Sequence, residues 1–182
     1  MIIAITGCHG AGKTTIGTLV ARALRLPFHD EVGRRLASDP LERPMGVTAA
    51  TACDAFDEHV FRAEVERDVE WVGRARVVES WHPGNLAYAM VRNSDVAARW
   101  LPELRRRAST RAVVVQVCAS DRVLRARQSE PGPVEFFLEV ADKISSATRS
   151  LGMVEPIRVA TDADSPLLVA ERIVATLGEV AR

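Results

Sequence analysis

The chain has 182 residues, of which 47% are hydrophobic and 26% charged, a composition typical of a globular protein with a buried core. The formal net charge is zero, so no basic field predicts nucleic-acid binding, and no apolar run approaches the roughly 20 residues that span a membrane. Cys8, Cys53 and Cys118 form neither a C-x-x-C pair nor a disulfide framework, which favours reduced thiols in a cytoplasmic protein. We expect one domain over residues 1–182.

Strand and helix patterns alternate along the chain, which predicts a parallel sheet covered on both faces. Prolines and turn residues predict interruptions near Asn93 and before Pro102. The expected elements are, in chain order, strand Met1–Thr6, helix Lys13–Leu24, strand Leu26–Asp30, a short helix through Arg35, helix Thr51–Val72, strand Arg76–Glu79, a turn at SWHPGN, helix Leu86–Arg107, strand Ala112–Cys118, a helix from Ser120 through Arg127, helix Val134–Leu151, strand Ile157–Ala160, and a last helix capped by Ser165 and reaching about Leu177.

The segment GCHGAGKT, from Gly7 to Thr14, matches the phosphate-binding pattern G-x-x-x-x-G-K-[ST] in full. Glycines let backbone N–H groups turn inward around phosphates, and the following helix presents its positive N-terminus to them. The pattern assigns Lys13 to the terminal phosphates and the Thr14 hydroxyl to Mg²⁺. Cys8 and His9 occupy free positions, which favours packing and spacing over chemistry. We therefore expect ATP and Mg²⁺ as cofactors, with nucleotide contacts at Gly10, Ala11, Gly12, Lys13, Thr14 and Thr15.

Carboxylates follow the second and third expected strands, and in open parallel sheets ligands bind beyond the carboxyl ends of the strands. Phosphoryl transfer to an alcohol needs a base for the hydroxyl proton and a carboxylate that helps to hold Mg²⁺. Glu31 fits the first role, with Asp30 as the alternative, and Glu79 fits the second. A surface acid that interacts with a helix N-terminus is the other interpretation of Glu31.

Arginines follow the fourth expected strand, at Arg122, Arg125 and Arg127, close to Glu130 and a Pro-Gly break. Mobile arginines beside a hinge can close over transferring phosphates and neutralise developing charge. A solvated arginine face is the alternative in this arginine-rich chain. Spacing alone leaves both interpretations open.

With these residues assembled, the chain resembles the P-loop nucleoside and nucleotide kinases, and deoxynucleoside kinases most of all. The run Arg125–Glu130 is similar to their lid motif R-x-R-x-x-E, and Glu31 to the glutamate base that ends their second strand. Glu79 matches the first position of their Glu-Arg-Ser motif, whereas Ser80 and Trp81 depart from the next two. The resemblance implies catalytic roles for the two lid arginines.

Further resemblances keep other acceptors open. The run Glu31–Arg34 is similar to one in ribosylnicotinamide kinases. VARALRLPFHD, from Val20, resembles shikimate kinase, but Val32 replaces its second acidic residue and its glycine triplet after the third strand is missing. The loop Ala160–Ala163 resembles the segment that backs adenine in this group, which implies a nucleotide contact at Asp162.

We predict a three-layer α/β P-loop NTPase fold whose five-stranded parallel sheet has the order 2-3-1-4-5. The expected activity is Mg²⁺-dependent phosphoryl transfer from ATP to a small-molecule substrate, with a nucleoside or nucleotide as the leading acceptor. No nucleic-acid or membrane partner is expected, and homodimer formation stays open. The expected substrate contacts are Glu31, Arg34, Phe56, Glu79, Trp81, His82, Tyr88 and Glu130. Each aromatic residue among them is equally compatible with a position in the hydrophobic core.

Two other functions remain in view. One is a kinase for a non-nucleoside metabolite or an antibiotic-like alcohol, because acceptor specificity depends on pocket shape. The other is a nucleotide-binding regulatory ATPase. A small GTPase is disfavoured, because lysine occurs only at Lys13 and Lys143 and the base-reading motif N-K-x-D is absent.

Overall fold

The structure is a computed structural model that describes residues 1–38, 48–108, 112–127 and 133–180. Strands and helices alternate through these ranges much as the sequence predicts. The elements are β1 (Ile2–Thr6), α1 (Lys13–Leu24), β2 (Phe28–His29), α2 (Val32–Ser38), α3 (Asp54–Glu70), β3 (Arg76–Glu79), α4 (Trp81–Val91), α5 (Asp95–Ala108), β4 (Ala112–Cys118), α6 (Asp121–Arg127), α7 (Val134–Ser150), β5 (Ile157–Ala160) and α8 (Pro166–Val180).

The five strands form one parallel sheet in the order β2-β3-β1-β4-β5, which confirms the predicted fold class and strand order. Both faces of the central strand are buried: Ile3 and Ile5 belong to the main apolar cluster, and Ile2 and Ala4 to a smaller one. Helix α1 packs against α8, and α4 packs against α7. A strand buried on both faces explains why β1 reads as a continuous apolar run.

The sheet register brings the end of β3 beside the end of β1. Ile5 pairs with Glu79, and Thr6 pairs with Gln116 of β4. The loop that follows β1 therefore starts next to the Glu79 carboxylate. Parallel strands place their carboxyl ends at one edge, and this edge carries the candidate site.

The segment SWHPGN is helical rather than a turn, which corrects the sequence prediction. Helix α4 starts at Trp81, and Pro83 lies in its first turn, where a missing N–H removes no helical hydrogen bond. Gly84 is needed for close packing, because an added Cβ would lie 2.9 Å from the Cβ of Ser80. Ser80 and Trp81 have positive φ values of 65° and 50°, so the chain turns sharply from β3 into α4.

Helix α5 continues through Pro102, where the sequence predicts a break. The interruption near Asn93 is present, and Asn93 has a φ of 53° between α4 and α5. A proline inside a helix costs about 3 kcal/mol. Val96 and Leu104, on either side of Pro102, are fully buried. Tertiary packing of this face outweighs the local cost.

The remaining boundaries shift by a few residues. Strand β2 is limited to two residues, and α2 extends to Ser38. Ser165 caps α8 as predicted, because its hydroxyl accepts a hydrogen bond from the backbone N–H of Leu168 at 3.3 Å. Across the described ranges, no helix has both the length and the apolar character that a membrane crossing requires.

Candidate active site

The loop between β1 and α1 depends on glycines. Gly10 and Gly12 have φ values of 79° and 99°, which other residues rarely adopt. A Cβ on Gly7 would lie 2.6 Å from the carbonyl oxygen of Val117, so the loop packs directly on β4. Helix α1 begins at Lys13, and its N-terminal N–H groups lie at the loop. This arrangement can bind phosphate groups.

Cys8 and His9 occupy loop positions that the motif does not specify, and the two side chains have different surroundings. Cys8 is buried, and burial raises the pKa of its thiol to about 11, which fits the packing role expected from the sequence. His9 lies in the wall of a cavity described below, and its ring centroid is 5.6 Å from that of Phe137. The structure thus places His9 at a ligand-sized space, which the pattern did not predict.

Four charged side chains converge with Thr14 beyond the carboxyl ends of the strands. The Thr14 hydroxyl lies 3.0 Å from both carboxylate oxygens of Glu79. The Lys13 Nζ atom lies 3.5 Å from Glu31 Oε2 and 3.9 Å from Glu79 Oε1. The Arg34 guanidinium donates to Glu79 Oε1 at 2.5 Å and to Glu31 Oε2 at 3.2 Å. Two cations thus balance two carboxylates.

Burial divides this cluster into an inner and an outer part. Glu79 is fully buried and Lys13 is 3% exposed, whereas Arg34 is 45% exposed at the outer side. Burial of the Arg34 side chain opposes its charged form, but the hydrogen bond and the charge of Glu79 raise the pKa of the guanidinium. Because a buried carboxylate without a partner is costly, both cations stabilise Glu79.

Thr14 and Glu79 are the side chains that fit magnesium. Mg²⁺ prefers oxygen ligands and usually keeps several waters and substrate phosphates in its shell. The described residues contain no cluster of three or more His, Cys, Asp or Glu that could hold a metal ion. An ion bound by Thr14 and Glu79 would therefore take its other ligands from phosphate and water.

A cavity of about 370 Å³ opens beside this cluster. Its wall comes from the phosphate loop, α2, α3 and α4, with the segment just before α3. Glu31 and Arg34 form its edge toward the cluster, and Phe56, Asn85 and Tyr88 are among the residues of its wall. A cavity of this size, largely apolar with a few polar groups, is typical of a small-molecule site.

Arg92 forms part of the same wall and is firmly held. It donates two hydrogen bonds to Asp57 and one to the carbonyl oxygen of Ala49 at 2.7 Å, and its guanidinium carbon lies 5.7 Å from the centroid of the Tyr88 ring. Asn85 donates from Nδ2 to Glu64 at 3.2 Å. These hydrogen bonds hold the Arg92 guanidinium and the Asn85 amide in place on a cavity wall that is otherwise largely apolar.

Arg92 was not predicted from the sequence, and Asn85 was not named individually, although it lies in the stretch Trp81–Tyr88 that the sequence predicts to form part of the acceptor pocket. Together with Tyr88 they occupy positions i, i+3 and i+7, which share one face of a helix. The spacing would have revealed them if SWHPGN had been interpreted as the start of a helix. Instead, the predicted turn separated Asn85 from the residues that follow it.

Trp81 and His82 do not line the cavity, which corrects their prediction as substrate contacts. Both are fully buried beside Asp68. Trp81 Nε1 donates to Asp68 at 3.1 Å, His82 Nε2 lies 2.7 Å from the same carboxylate, and Arg76 donates to it at 2.5 Å. Their side chains attach the start of α4 to α3 and β3. Phe56 and Arg34, by contrast, are cavity residues.

A second cavity of about 280 Å³ adjoins the other side of the phosphate loop. Gly10, Gly12 and Thr15 face it from the loop and α1, and Arg127 faces it from α6. Arg127 donates to the carbonyl oxygen of Thr161 at 3.4 Å. This cavity adjoins the phosphate loop and, among the described residues, shares no lining residue with the larger cavity, so it is a candidate space for the base and ribose of a nucleotide. We call it the nucleotide-side cavity.

Asp162 joins two loops instead of lining this cavity. Its carboxylate accepts the backbone N–H of Ser120 at 2.9 and 3.1 Å, and this hydrogen bond lowers the pKa of Asp162. The cavity wall at this loop comes from Thr161 and Asp164. The loop is thus beside the cavity, but its lining residues there are the neighbours of Asp162 and not Asp162 itself.

Arg125 and Arg127, the two arginines of the lid motif, lie in different surroundings. Arg125 is exposed and pairs with Glu135 at 2.9 Å and with Asp121 at 2.7 Å; the hydrogen bond to Glu135 and the charge of Asp121 raise the pKa of its guanidinium. It does not line the nucleotide-side cavity, whereas Arg127 does. Glu130, expected to contact the substrate, lies outside the described residues.

Known proteins resemble this chain in sequence and in fold. The shikimate kinase of Shewanella loihica is 27% identical over 181 residues, which cover 97% of this chain and 96% of that protein. Deoxyadenosine kinase from M. mycoides, solved with dCMP and dCDP, matches with a TM-score of 0.69 at 16% identity, over 98% of this chain and 100% of that one.

The NadR protein in complex with NR has the same fold, with a TM-score of 0.69 at 14% identity, over 98% of this chain and 50% of that one. The sequence model of the AAA domain family matches residues 2–160. Because that match covers most of the sequence, the chain belongs to the AAA domain family.

Proposed function

We propose that this protein transfers a phosphoryl group from Mg²⁺-bound ATP to a nucleoside or nucleotide. In its broader description the chain is an ATP-dependent small-molecule kinase, because kinases match it over nearly its full length and its phosphate loop is complete. One observation carries the proposal: Lys13, Thr14, Glu31 and Glu79 converge between the phosphate loop and a ligand-sized cavity.

On the donor side, the loop backbone and Lys13 bind the phosphates. Lys13 has a compact ammonium group that lies near both carboxylates and can stay close to a phosphoryl group as it moves toward the acceptor. Thr14 and Glu79 would hold Mg²⁺, which supplies charge neutralisation on the phosphates when bound. Arg127 faces the nucleotide-side cavity and can neutralise charge from that direction.

On the acceptor side, Glu31 is the proposed base. Its carboxylate is 15% exposed, forms part of the cavity edge and lies 3.5 Å from Lys13, so it can orient an acceptor hydroxyl and take its proton. Asp30 is exposed and is not a cavity residue, while its backbone carbonyl accepts a hydrogen bond from Arg67 at 2.7 Å. The geometry therefore supports Glu31 over Asp30.

The cavity wall supports a planar acceptor. Phe56 and Tyr88 are aromatic surfaces on which a base could stack, and Asn85 and Arg92 offer hydrogen-bonding groups nearby. Since Arg92 and Asn85 are held by Asp57 and Glu64, little ordering is needed when a ligand binds.

A shikimate-like acceptor is the second candidate, because curated shikimate kinases match the chain over nearly its full length. The substitution of Val32 for an acidic residue argues against it, since Val32 is fully buried and offers no ligand contact. The chain also enters a helix at Trp81, where the resemblance calls for a glycine triplet.

The test is ADP release by the purified protein with Mg²⁺ and ATP, measured against nucleosides, nucleotides, shikimate and buffer alone. Stimulation by a nucleoside or nucleotide supports the proposal. Stimulation by shikimate alone favours the second candidate. ADP release that is the same with every acceptor and with buffer contradicts both and favours a regulatory ATPase.

A further inference from the structure

Arg34 contacts the same oxygen atoms that fit magnesium. Its Nη1 atom donates to the Thr14 hydroxyl at 3.2 Å and to Glu79 Oε2 at 3.4 Å, and its Nη2 atom donates to Glu79 Oε1 at 2.5 Å. One guanidinium, a monovalent cation of the protein itself, thus contacts both Thr14 and Glu79. A salt bridge that only stabilised α2 would not need to include the hydroxyl of the phosphate loop.

The two cations exclude each other at this position. The Thr14 hydroxyl lies within hydrogen-bonding distance of Glu79 and accepts from Arg34, so a metal ion on the same oxygen would crowd the guanidinium that already contacts it. Glu79 is fully buried, so its oxygens have few directions from which a cation can approach. Like charges that share these ligands also repel each other.

Arg34 has a second position available. It lies on the short helix α2 at the edge of the larger cavity, is 45% exposed, and donates to Glu31 at 3.2 Å in addition to Glu79. If the contacts to Thr14 and Glu79 are broken, the bond to Glu31 can remain. The guanidinium would then lie beside the proposed base, on the acceptor side of the cluster.

We propose that Arg34 is a built-in competitor of the divalent cation, which holds Thr14 and Glu79 until a metal–nucleotide complex takes them and then remains with Glu31 at the acceptor cavity. The inference rests on the proposed metal–nucleotide site. It implies that donor binding releases a cation toward the acceptor, so that the two halves of the site are coupled through one side chain.

The test is calorimetric binding of the non-hydrolysable ATP analogue AMPPNP, once with saturating Mg²⁺ and once with EDTA. Removing a competing charge next to a divalent ion should tighten Mg²⁺·AMPPNP binding by about 10-fold in Arg34→Ala. Arg34→Gln, which keeps much of the side chain without its charge, should show the same gain. Binding with EDTA should stay constant or weaken, because a positive charge near the phosphates is lost.

Arg35→Ala is the matched control: Arg35 is exposed on the same helix, carries the same charge and does not line the cavity, so its removal should leave both affinities unchanged. Weaker or unchanged Mg²⁺·AMPPNP binding by both Arg34 variants, with normal melting temperatures, would overturn the competitor role and leave the metal site standing. A wild-type protein that binds AMPPNP equally with Mg²⁺ and with EDTA would instead refute the proposed metal–nucleotide site, and the competitor role with it.

Discussion

Lys13 is the residue on which both halves of the proposed reaction depend, since it starts α1 and lies near Glu31 and Glu79. We expect Lys13→Ala to lower phosphoryl transfer by about 10²–10³-fold, the typical cost of removing an electrostatic group that acts in the transition state. The measurement is the steady-state rate with the best acceptor. Lys143→Ala, which removes the other lysine of the chain, is the control and should keep its rate. Normal turnover in Lys13→Ala would refute the phosphate-loop assignment.

Glu31→Gln tests the base. The substitution keeps the size of the side chain but removes its proton-accepting carboxylate, and general-base assistance contributes roughly 10²–10⁴-fold. We expect transfer to the acceptor to fall by that factor while ATP affinity changes little, because the phosphates bind at the loop. Asp30→Asn is the matched control and should retain activity. If instead Asp30→Asn loses activity and Glu31→Gln does not, the roles are reversed.

Arg125 and Arg127 separate the two interpretations of the lid arginines. Arg127 faces the nucleotide-side cavity, while Arg125 pairs with Asp121 and Glu135 at the surface. We expect Arg127→Lys to weaken ATP binding by about 10-fold, because lysine keeps the charge but loses the guanidinium fork. Arg125→Lys should have little effect on binding. If calorimetry gives equal ATP affinities for both variants and wild type, Arg127 is a solvated surface residue that does not contact the nucleotide.

At the scale of elements, Asp68 connects α3 to β3 and to the start of α4. Burial alone would raise its pKa, but the hydrogen bonds from His82 and Trp81 and the charge of Arg76 outweigh burial and lower the pKa of Asp68. Removing one partner of a buried ion pair costs about 3–5 kcal/mol. We expect Asp68→Asn to lower the free energy of unfolding by that amount at pH 7, measured by urea denaturation.

The same residue predicts a pH dependence. Because the pKa of Asp68 is lower in the folded than in the unfolded state, its stabilising contribution is present above the unfolded value and is lost as the pH falls through the folded one. Wild type should therefore lose stability in acid more steeply than Asp68→Asn. Asp121→Asn, which breaks a solvent-exposed ion pair, should change the free energy of unfolding far less than Asp68→Asn does. Parallel acid curves for wild type and Asp68→Asn would contradict this account.

Several strands and helices could be predicted from sequence patterns alone. Strands β3, β4 and β5 and helix α1 have the predicted bounds, because their periodicity is strong and their ends carry clear signals. The start of α4 was not predicted because His-Pro-Gly-Asn has the composition of a turn. In the structure Gly84 is a helical residue, and its missing side chain allows α4 to pack closely against Ser80. Pro102 was expected to end a helix because the buried residues around it were not visible as a packed face.

The larger cavity shows what local patterns cannot supply. Its wall is formed by the phosphate loop, α2, the segment just before α3, α3 itself and α4, which come from separate parts of the sequence. Glu31 and Glu79 could be placed because the ends of parallel strands meet at one edge. Trp81 and His82 could not, because their direction depends on the positive φ values at the junction of β3 and α4.

At the level of the complete fold, this chain resembles proteins that carry different names and bind different molecules. The deoxyadenosine kinase and the NadR protein match this chain with the same TM-score, and shikimate kinases match it by sequence. Function therefore depends on the site rather than on the fold. For this chain, we propose that the acceptor is selected by the cavity wall, where Phe56 and Tyr88 are aromatic and Asn85 and Arg92 are polar.

We propose that the cluster between the phosphate loop and the larger cavity passes a phosphoryl group to a molecule bound in that cavity. The most direct measurement is the fate of the γ-phosphoryl group of ATP, labelled with ¹⁸O and followed by mass spectrometry in the presence of the most stimulating nucleoside or nucleotide. We predict that the label appears on the acceptor, in proportion to the ADP formed, and that Glu31→Gln lowers its rate of appearance there by roughly 10²–10⁴-fold. Label found only in inorganic phosphate, at a rate independent of the acceptor, would contradict the account.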